Sequence, residues 1–494
     1  MRLLIENCVV LDPDAPRGIR TDQNIVVDGN RIESIGEQRP AVEFERILPG
    51  HRRLAIPGLI NAHTHSAENF LRATTDRMAL EPWLVYLFGM CGPYSPRDHY
   101  LSIMLGNIEM IRSGVTGVVD HFWMSPAPNA LAMNAAMEAY RDSGMRAAVA
   151  PLYRDAQYDI DYGIEDGYPL ADTFMAKIGS HFAPLSEVLG MLEDFIRRWH
   201  RAEDGRLLAF VGASGLQWCT EELLQRSLEL ARRYATGFHM HLLETRVQDW
   251  ACRRRFGKPG TAWLAERGLL GPDVSLPHSV QLGPKDVEQL AAHGASVVHN
   301  PPSNLKLGSG LAPIRIMLDR GVNVALGTDG AASSDNQVLF EALRLAALIH
   351  NTGDPDPDRW ISAREAWRMA TEGGAQVMGL AGQVGKLEEG TLADIVLLDL
   401  DSPHLAPFND PIRQMAFCES GASVRSVLVD GAVVMHDGEI EAFDEKAILE
   451  EAEEAMAGRP VRGPMPPEVA EAVAHFTAFQ KDVVQKEWMQ HARP

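Results

Sequence analysis

The sequence predicts an α/β fold of alternating strands and helices, flanked by further short strands at both ends. Two observations carry that expectation, and a third places chemistry on it. Eight apolar segments of strand character, at 56–63, 115–121, 146–152, 207–213, 236–242, 274–278, 295–299 and 322–328, are separated by helical runs. Such alternation favours parallel β/α units. Eight units over roughly 330 residues match a (β/α)8 TIM-like barrel with insertions. Strand texture also occurs before and after this region. Finally, several of the eight segments end in histidine or aspartate, and such barrels keep their chemistry at the C-terminal strand ends.

Taken in order, Leu3-Leu4-Ile5 and Cys8-Val9-Val10-Leu11 open the chain. Residues 24–27 follow, then the turn Asp28-Gly29-Asn30 and residues 31–35. Residues 390–399 and 424–431 read the same way, so the termini are expected to pair into one small sheet domain. The largest insertion lies between the third and fourth segments, around residues 155–206. Within it, 158–168 reads as loop and 187–200 as helix, together a candidate cover for the site. After residue 443 come charged amphipathic helices broken by Gly463-Pro464-Met465-Pro466-Pro467. The expected division is 1–56 and 385–442 for the terminal sheet domain, 57–384 for the barrel, and 443–494 for a helical extension.

Composition narrows the function. A net charge of −21 over 494 residues lacks the basic footprint of a nucleic-acid binder. Cys8, Cys91, Cys219, Cys252 and Cys418 are odd in number and scattered, without a C-x-x-C pair. That argues for a reducing, cytoplasmic setting over a disulfide framework. The opening Met1-Arg2-Leu3-Leu4-Ile5-Glu6 meets an acid too early for a signal peptide. No stretch reaches the roughly 20 apolar residues of a membrane span. A soluble homo-oligomer with a small-molecule substrate is expected.

His63-Thr64-His65 follows the apolar run Leu54-Ala55-Ile56-Pro57-Gly58-Leu59-Ile60. Alternate strand residues share a face, so the two imidazoles converge, forming half of a first-row metal site. Three more segments share the design: Phe238-His239-Met240-His241-Leu242-Leu243-Glu244, Val274-Ser275-Leu276-Pro277-His278, and Val322-Asn323-Val324-Ala325-Leu326-Gly327-Thr328-Asp329. His239 and His241 lie on one strand face, so spacing alone leaves the ligand between them open. His121 ends the second segment, and His299-Asn300-Pro301-Pro302-Ser303-Asn304 ends the seventh, a candidate polar wall. Trp83, Phe88, Tyr94 and Trp123 could stack on a planar substrate.

Pro57-Gly58-Leu59-Ile60-Asn61-Ala62-His63-Thr64-His65 resembles the signature of the amidohydrolase superfamily. His241-Leu242-Leu243-Glu244, Pro277-His278 and Gly327-Thr328-Asp329-Gly330 are similar to its mononuclear-metal deaminase branch, which includes adenosylhomocysteine/methylthioadenosine deaminases, guanine-type deaminases and triazine chlorohydrolases. The resemblance runs to about residue 440 and implies that the terminal sheet domain is a β-sandwich. It further implies that His63, His65, His241 and Asp329 hold one divalent ion, zinc first, with iron or manganese as alternatives. The H-x-x-E register matched to the family motif selects His241. Glu244, His278 and Asp329 are then the catalytic groups: Glu244 passes a proton from water to the leaving amine, and His278 orients the attacking oxygen. His121, Trp83, Asn300, Ser303 and Asn304 are the expected substrate-binding residues.

Binuclear members carry a lysine at the fourth strand end, and Phe210-Val211-Gly212-Ala213-Ser214-Gly215-Leu216-Gln217-Trp218 has none. The expected reaction is hydrolytic deamination, in which metal-activated hydroxide adds to an amidine-like ring carbon and ammonia leaves. The adenosine-type branch carries a ribose-binding acid in a Trp-Pro-x-Glu-like stretch. The nearest stretch here, Cys91-Gly92-Pro93-Tyr94-Ser95-Pro96, lacks it. The sequence therefore favours a smaller aminated N-heterocycle over a ribonucleoside. Alternatives on the same machinery are dechlorination, N-dealkylation or urea-type C–N hydrolysis. A silent binding or scaffold homologue is the non-enzyme alternative.

Overall fold

A computed structural model describes residues 2–15, 17–124, 128–170 and 182–491, with side chains described to residue 486. All eight expected strands form: β1 (Leu59–Thr64), β2 (Val115–Phe122), β3 (Arg146–Tyr153), β4 (Leu207–Ala209, continued at Gly212–Ala213), β5 (Phe238–His239), β6 (Val274–Pro277), β7 (Ser296–His299) and β8 (Val324–Leu326). They pair in parallel, β1 to β4 in one sheet and β5 to β8 in another. Backbone bonds join the two: Val211 N–H donates to Gly237 O and His239 N–H to Val211 O, each at 2.9 Å. At the far edge, Asp329 N–H donates to His63 O at 3.0 Å, so the last strand end meets the first. The result is a curled parallel sheet. Ala62, Val119 and Ala148 of β1 to β3, Phe210 between the two parts of β4, and Val298 and Ala325 of β7 and β8 share one buried cluster.

The chain ends meet in a nine-stranded sheet. Its order runs Glu439–Ile440, Ala432–His436, Val424–Val429, Ile395–Asp399, Arg53–Pro57, Arg2–Leu11, Ile19–Asp28 and Arg31–Gly36, with Arg46–Pro49 beside Arg2–Leu11. The link between termini is antiparallel, Ile395 opposite Pro57 through Asp399 opposite Arg53. Arg146, at the start of β3, fastens the two sheets. Its guanidinium donates to both oxygens of Asp394 at 2.8 and 2.9 Å and to Asp430 at 2.8 Å.

One expectation fails in the insertion. Tyr158–Glu165 is a helix, not a loop. Its turn-like composition is overridden by packing. Arg255 lies 3.7 Å over the Tyr158 ring and Arg254 4.3 Å over Tyr162, which meets Trp250 edge-on. The helix expected over 187–200 appears as Leu185–Trp199. Residues 171–181 of the insertion lie outside the described residues. The C-terminal helix Pro467–His491 lies against Leu80–Met90 and Arg246–Phe256, its Val469, Phe476, Phe479 and Val483 buried with Val85, Tyr86 and Val247. Among the described residues no helix is long and apolar enough to cross a membrane.

Candidate metal centre and active site

The histidines of β1 and β5 and the aspartate after β8 converge at the C-terminal ends of the strands. His65 Nε2 lies 3.1 Å from His241 Nε2. His63 Nε2 and His65 Nε2 each lie 3.4 Å from Asp329 Oδ1. The opposite ring edges explain this arrangement. His65 Nδ1 faces the carbonyl of His121 at 2.6 Å, and His241 Nδ1 faces that of Ser214. A carbonyl only accepts, so each Nδ1 carries its ring's proton and each Nε2 presents a lone pair. His63 Nδ1 is 2.9 Å from His239 Nε2, and His239 Nδ1 is 2.6 Å from Ser275 Oγ, which reaches Phe238 O at 3.4 Å. Protons passed along this chain from His63 to Phe238 O free His63 Nε2 as a third lone pair.

Three imidazole lone pairs and a carboxylate oxygen thus face one another with no donor between them. His63 Nε2 and Asp329 Oδ1 are buried without a hydrogen-bond partner among the described residues. The His63 and His241 rings do not protonate to relieve the repulsion. Burial pushes His63 down to about 3, and burial plus the neighbouring imidazoles holds His241 and His239 well below the usual range. Burial opposes ionisation of Asp329, but His63 and the adjacent imidazoles outweigh it and keep its carboxyl well below its ordinary value. An all-acceptor cluster of this type fits a divalent cation. His63, His121 and His239 also cluster, but the bond from His63 to His239 makes His239 a support for the His63 ring.

Backbone geometry places these groups with strain. Leu243, His278, Ser279 and Asp329 have φ of 44°, 69°, 49° and 66°, a region costly for side-chain-bearing residues. The turns are held by Ser279 N–H donating to Leu242 O and Gln281 N–H to Leu243 O, both at 2.9 Å. Gly330 is required beside Asp329, because a Cβ there would collide with the Glu68 carboxyl. Ser303 and Ser333 hydroxyls donate to Asp329 Oδ2 at 2.5 and 2.9 Å, leaving Oδ1 to face the histidines.

Glu244 sits beside this cluster. Burial pushes its carboxyl well above the ordinary range, Asp329 adds to the effect, and Ser309 Oγ, 3.2 Å from Oε1, opposes it. His278 Nδ1 lies 3.5 Å from Glu244 Oε1 and 2.9 Å from Asn304 Oδ1. His121 is fully buried among these side chains, 4.6 Å from His241 between ring centres, and both its nitrogens lack partners among the described residues. Among the described residues, Asn300 is buried with its whole carboxamide unpartnered, and Trp83 is buried with Nε1 unpartnered. Ser303 and Asn304 are engaged with Asp329 and His278.

The structure adds groups that the sequence reading did not single out. They are Ser309 on Glu244, Ser333 on Asp329, and Glu81, whose Oε1 accepts from Thr245 Oγ1 while Oε2 is buried without a partner among the described residues. An acid in the apolar setting Leu80-Glu81-Pro82-Trp83 was the available signal for Glu81.

Comparison with known proteins agrees with this geometry. The amidohydrolase family profile matches residues 54–434. A 5'-deoxyadenosine deaminase of Methanosarcina mazei is 33% identical over 92% of this chain and 97% of its own. A 5-methylthioadenosine/S-adenosylhomocysteine deaminase of Syntrophobacter fumaroxidans is 35% identical over 91% and 96%. The solved atrazine chlorohydrolase of Arthrobacter aurescens, complexed with zinc, superposes with a TM-score of 0.81 at 27% identity, covering 92% of this chain and 100% of that one. The chain belongs to the amidohydrolase family.

Proposed function

We propose that the protein is a metal-dependent aminohydrolase that removes the exocyclic amine of an aminated N-heterocycle as ammonia. The observation that carries this reading is the donor-free convergence of His63, His65, His241 and Asp329 beside the buried acid Glu244. These four residues would hold one divalent ion, zinc first, which when bound acidifies water and polarises the electrophile. Glu244, its carboxyl held well above the ordinary range by burial, takes a proton from the attacking water and delivers it to the departing nitrogen. The water oxygen forms the new C–O bond, the C–N bond breaks, and ammonia leaves. His278, with Nδ1 donating to Asn304 Oδ1, presents Nε2 to orient the water or the adduct. His121 and Asn300, with unpartnered ring and amide atoms, are our choice for reading the heterocycle, with Trp83 as a wall.

This reading carries a closed (β/α)8 barrel over residues 57–384, supported by the Asp329–His63 backbone bond and the superposition. It also carries a β-sandwich domain from both termini and a cytoplasmic setting. Relatives named for nucleoside deamination bring adenosine derivatives to the front of the substrate classes, ahead of the smaller rings that the missing acid at 91–96 favoured. Dechlorination is the second reading, favoured by the chlorohydrolase likeness. The test is ammonia and chloride release by metal-loaded protein offered adenosine derivatives, aminopurines and chlorotriazines. Ammonia from an aminated ring, abolished by chelation, is expected. Chloride release alone would replace deamination with the second reading.

A further inference from the structure

At the N-terminal ends of the parallel strands, opposite the candidate metal centre, lies a cavity of about 580 Å³ that the chemistry described above does not touch. Ser275 of β6 and Ser296 of β7 line its floor. They are register partners on parallel strands, so their hydroxyls share a face. Leu208, Phe210 and Met378 supply an apolar wall, and Arg31 and Arg201 stand exposed at the rim.

The Arg146 tie at this end is complete, but the two buried serines keep donors to spare. Ser296 Oγ accepts from Asn323 Nδ2 at 3.0 Å, and among the described residues its own proton has no acceptor. In the proton order that leaves His63 Nε2 bare, Ser275 Oγ accepts from His239 Nδ1 at 2.6 Å. Its proton then faces Phe238 O at 3.4 Å, well beyond the usual O–H···O distance of about 2.7–3.0 Å.

The charges point the same way. Of the cations lining the cavity, Arg146 is matched by Asp394 and Asp430, and Arg232 by Asp273 at 2.9 Å. Burial holds His200 below its ordinary value, so it adds no charge. Arg31 donates to a carbonyl, Gly390 O, at 2.6 Å, and neither Arg31 nor Arg201 is ion-paired among the described residues. Asp204, also exposed, is the unpaired acid that opposes them. In a chain of net charge −21, hydroxyl donors beneath a rim with a cation in excess favour an anion that most of the surface repels.

We propose that this cavity is a second binding site, and that it takes a small organic anion with an apolar body, a carboxylate at one end and an uncharged oxygen acceptor at the other. The acceptor receives the Ser275 and Ser296 protons, the body lies along Leu208, Phe210 and Met378, and the carboxylate meets Arg31 and Arg201. The volume is that of an ordinary small-molecule pocket. The spare donor of Ser275 rests on the metal-site reading; that of Ser296 and the rim charges do not.

The probe is 6-oxoheptanoate, which carries a ketone and a carboxylate on one apolar chain. Its binding to the metal-loaded full chain is measured by calorimetry beside heptanoate, which lacks the ketone, and 2-heptanone, which lacks the carboxylate. 6-Oxoheptanoate should bind tightest, each truncation costing about threefold to tenfold. The carboxylate's share should vanish in about 0.5 M salt and in the Arg31→Gln/Arg201→Gln double variant. The ketone's share should shrink in Ser296→Ala, with thermal unfolding checking that both variants are folded. No binding, equal affinities, or binding indifferent to these substitutions, as a carboxylate seated on the metal would show, would overturn the site. Selective binding of the expected pattern by a chain that takes up no metal would leave the site standing and break the metal reading.

Discussion

The two ends of the parallel sheet treat buried polar groups in opposite ways. At the base, Arg146, 1% exposed, is matched by Asp394 and Asp430, and the Asp430 amide donates back to Asp394 at 2.8 Å. At the mouth, His63 Nε2, Asp329 Oδ1 and both nitrogens of His121 are buried with no described partner. Buried polar groups are normally satisfied, and the cost of leaving them bare is large. The base is therefore a finished tie between two sheets, whereas the mouth leaves acceptors facing one another, as the proposed metal site requires. Stability is assigned to one end and chemistry to the other.

The largest expected effect lies at the mouth. Glu244→Gln keeps the shape of the side chain and removes the base, so turnover should fall roughly 10²–10⁴-fold with metal content unchanged. Near-normal ammonia release would remove Glu244 from proton transfer. At the base, Arg146→Met strands the buried Asp394 and the part-buried Asp430 and should cost about 3–5 kcal/mol of stability, read by denaturant unfolding. The metal bound per folded chain should stay the same. A stable Arg146→Met protein would mean that the tie contributes little and that the contrast between the ends is weaker than drawn.

His239 sharpens the comparison, because it is a buried histidine at the mouth that is fully bonded. His239→Ala should weaken metal binding about 10–100-fold, the usual cost of losing a ligand's support. His239→Gln should recover much of it, since a carboxamide oxygen can accept from His63 Nδ1. Identical metal affinities in the two variants would reduce His239 to packing. The smallest effect concerns Glu81. Burial pushes its carboxyl up to about 7 from an ordinary 4.5, and Thr245 partly opposes that shift. The folded protein then binds more protons than the unfolded chain between those values. This contribution is full below pH 4.5 and is lost as pH rises through 7. Glu81→Gln should flatten the thermal midpoint against pH across that window; an unaltered slope would contradict the shift.

The strands were legible because each is an apolar run, and His63, His65, His241 and Asp329 because each ends or follows one. Their supports were not legible, because they come from distant loops. Ser309 reaches Glu244 across 65 positions, and Thr245 reaches Glu81 across 164. The spacing of His239 and His241 put both on one face, but only the bonds of His63 and His65 distinguish the roles of the two rings. The helix Tyr158–Glu165 was hidden for a similar reason, since its tyrosines are stabilised by Arg254, Arg255 and Trp250. Residue type and strand position point to a candidate ligand, whereas a support is revealed only by its contacts.

The most direct test of the contrast is the metal content of the purified protein, measured by mass spectrometry after loading and desalting, for the wild-type chain and Asp329→Ala. One divalent ion per wild-type chain, with little retained by the variant, is the result predicted from the unpartnered Asp329 Oδ1 and His63 Nε2. Two ions per chain, or one ion held equally well without Asp329, would contradict it.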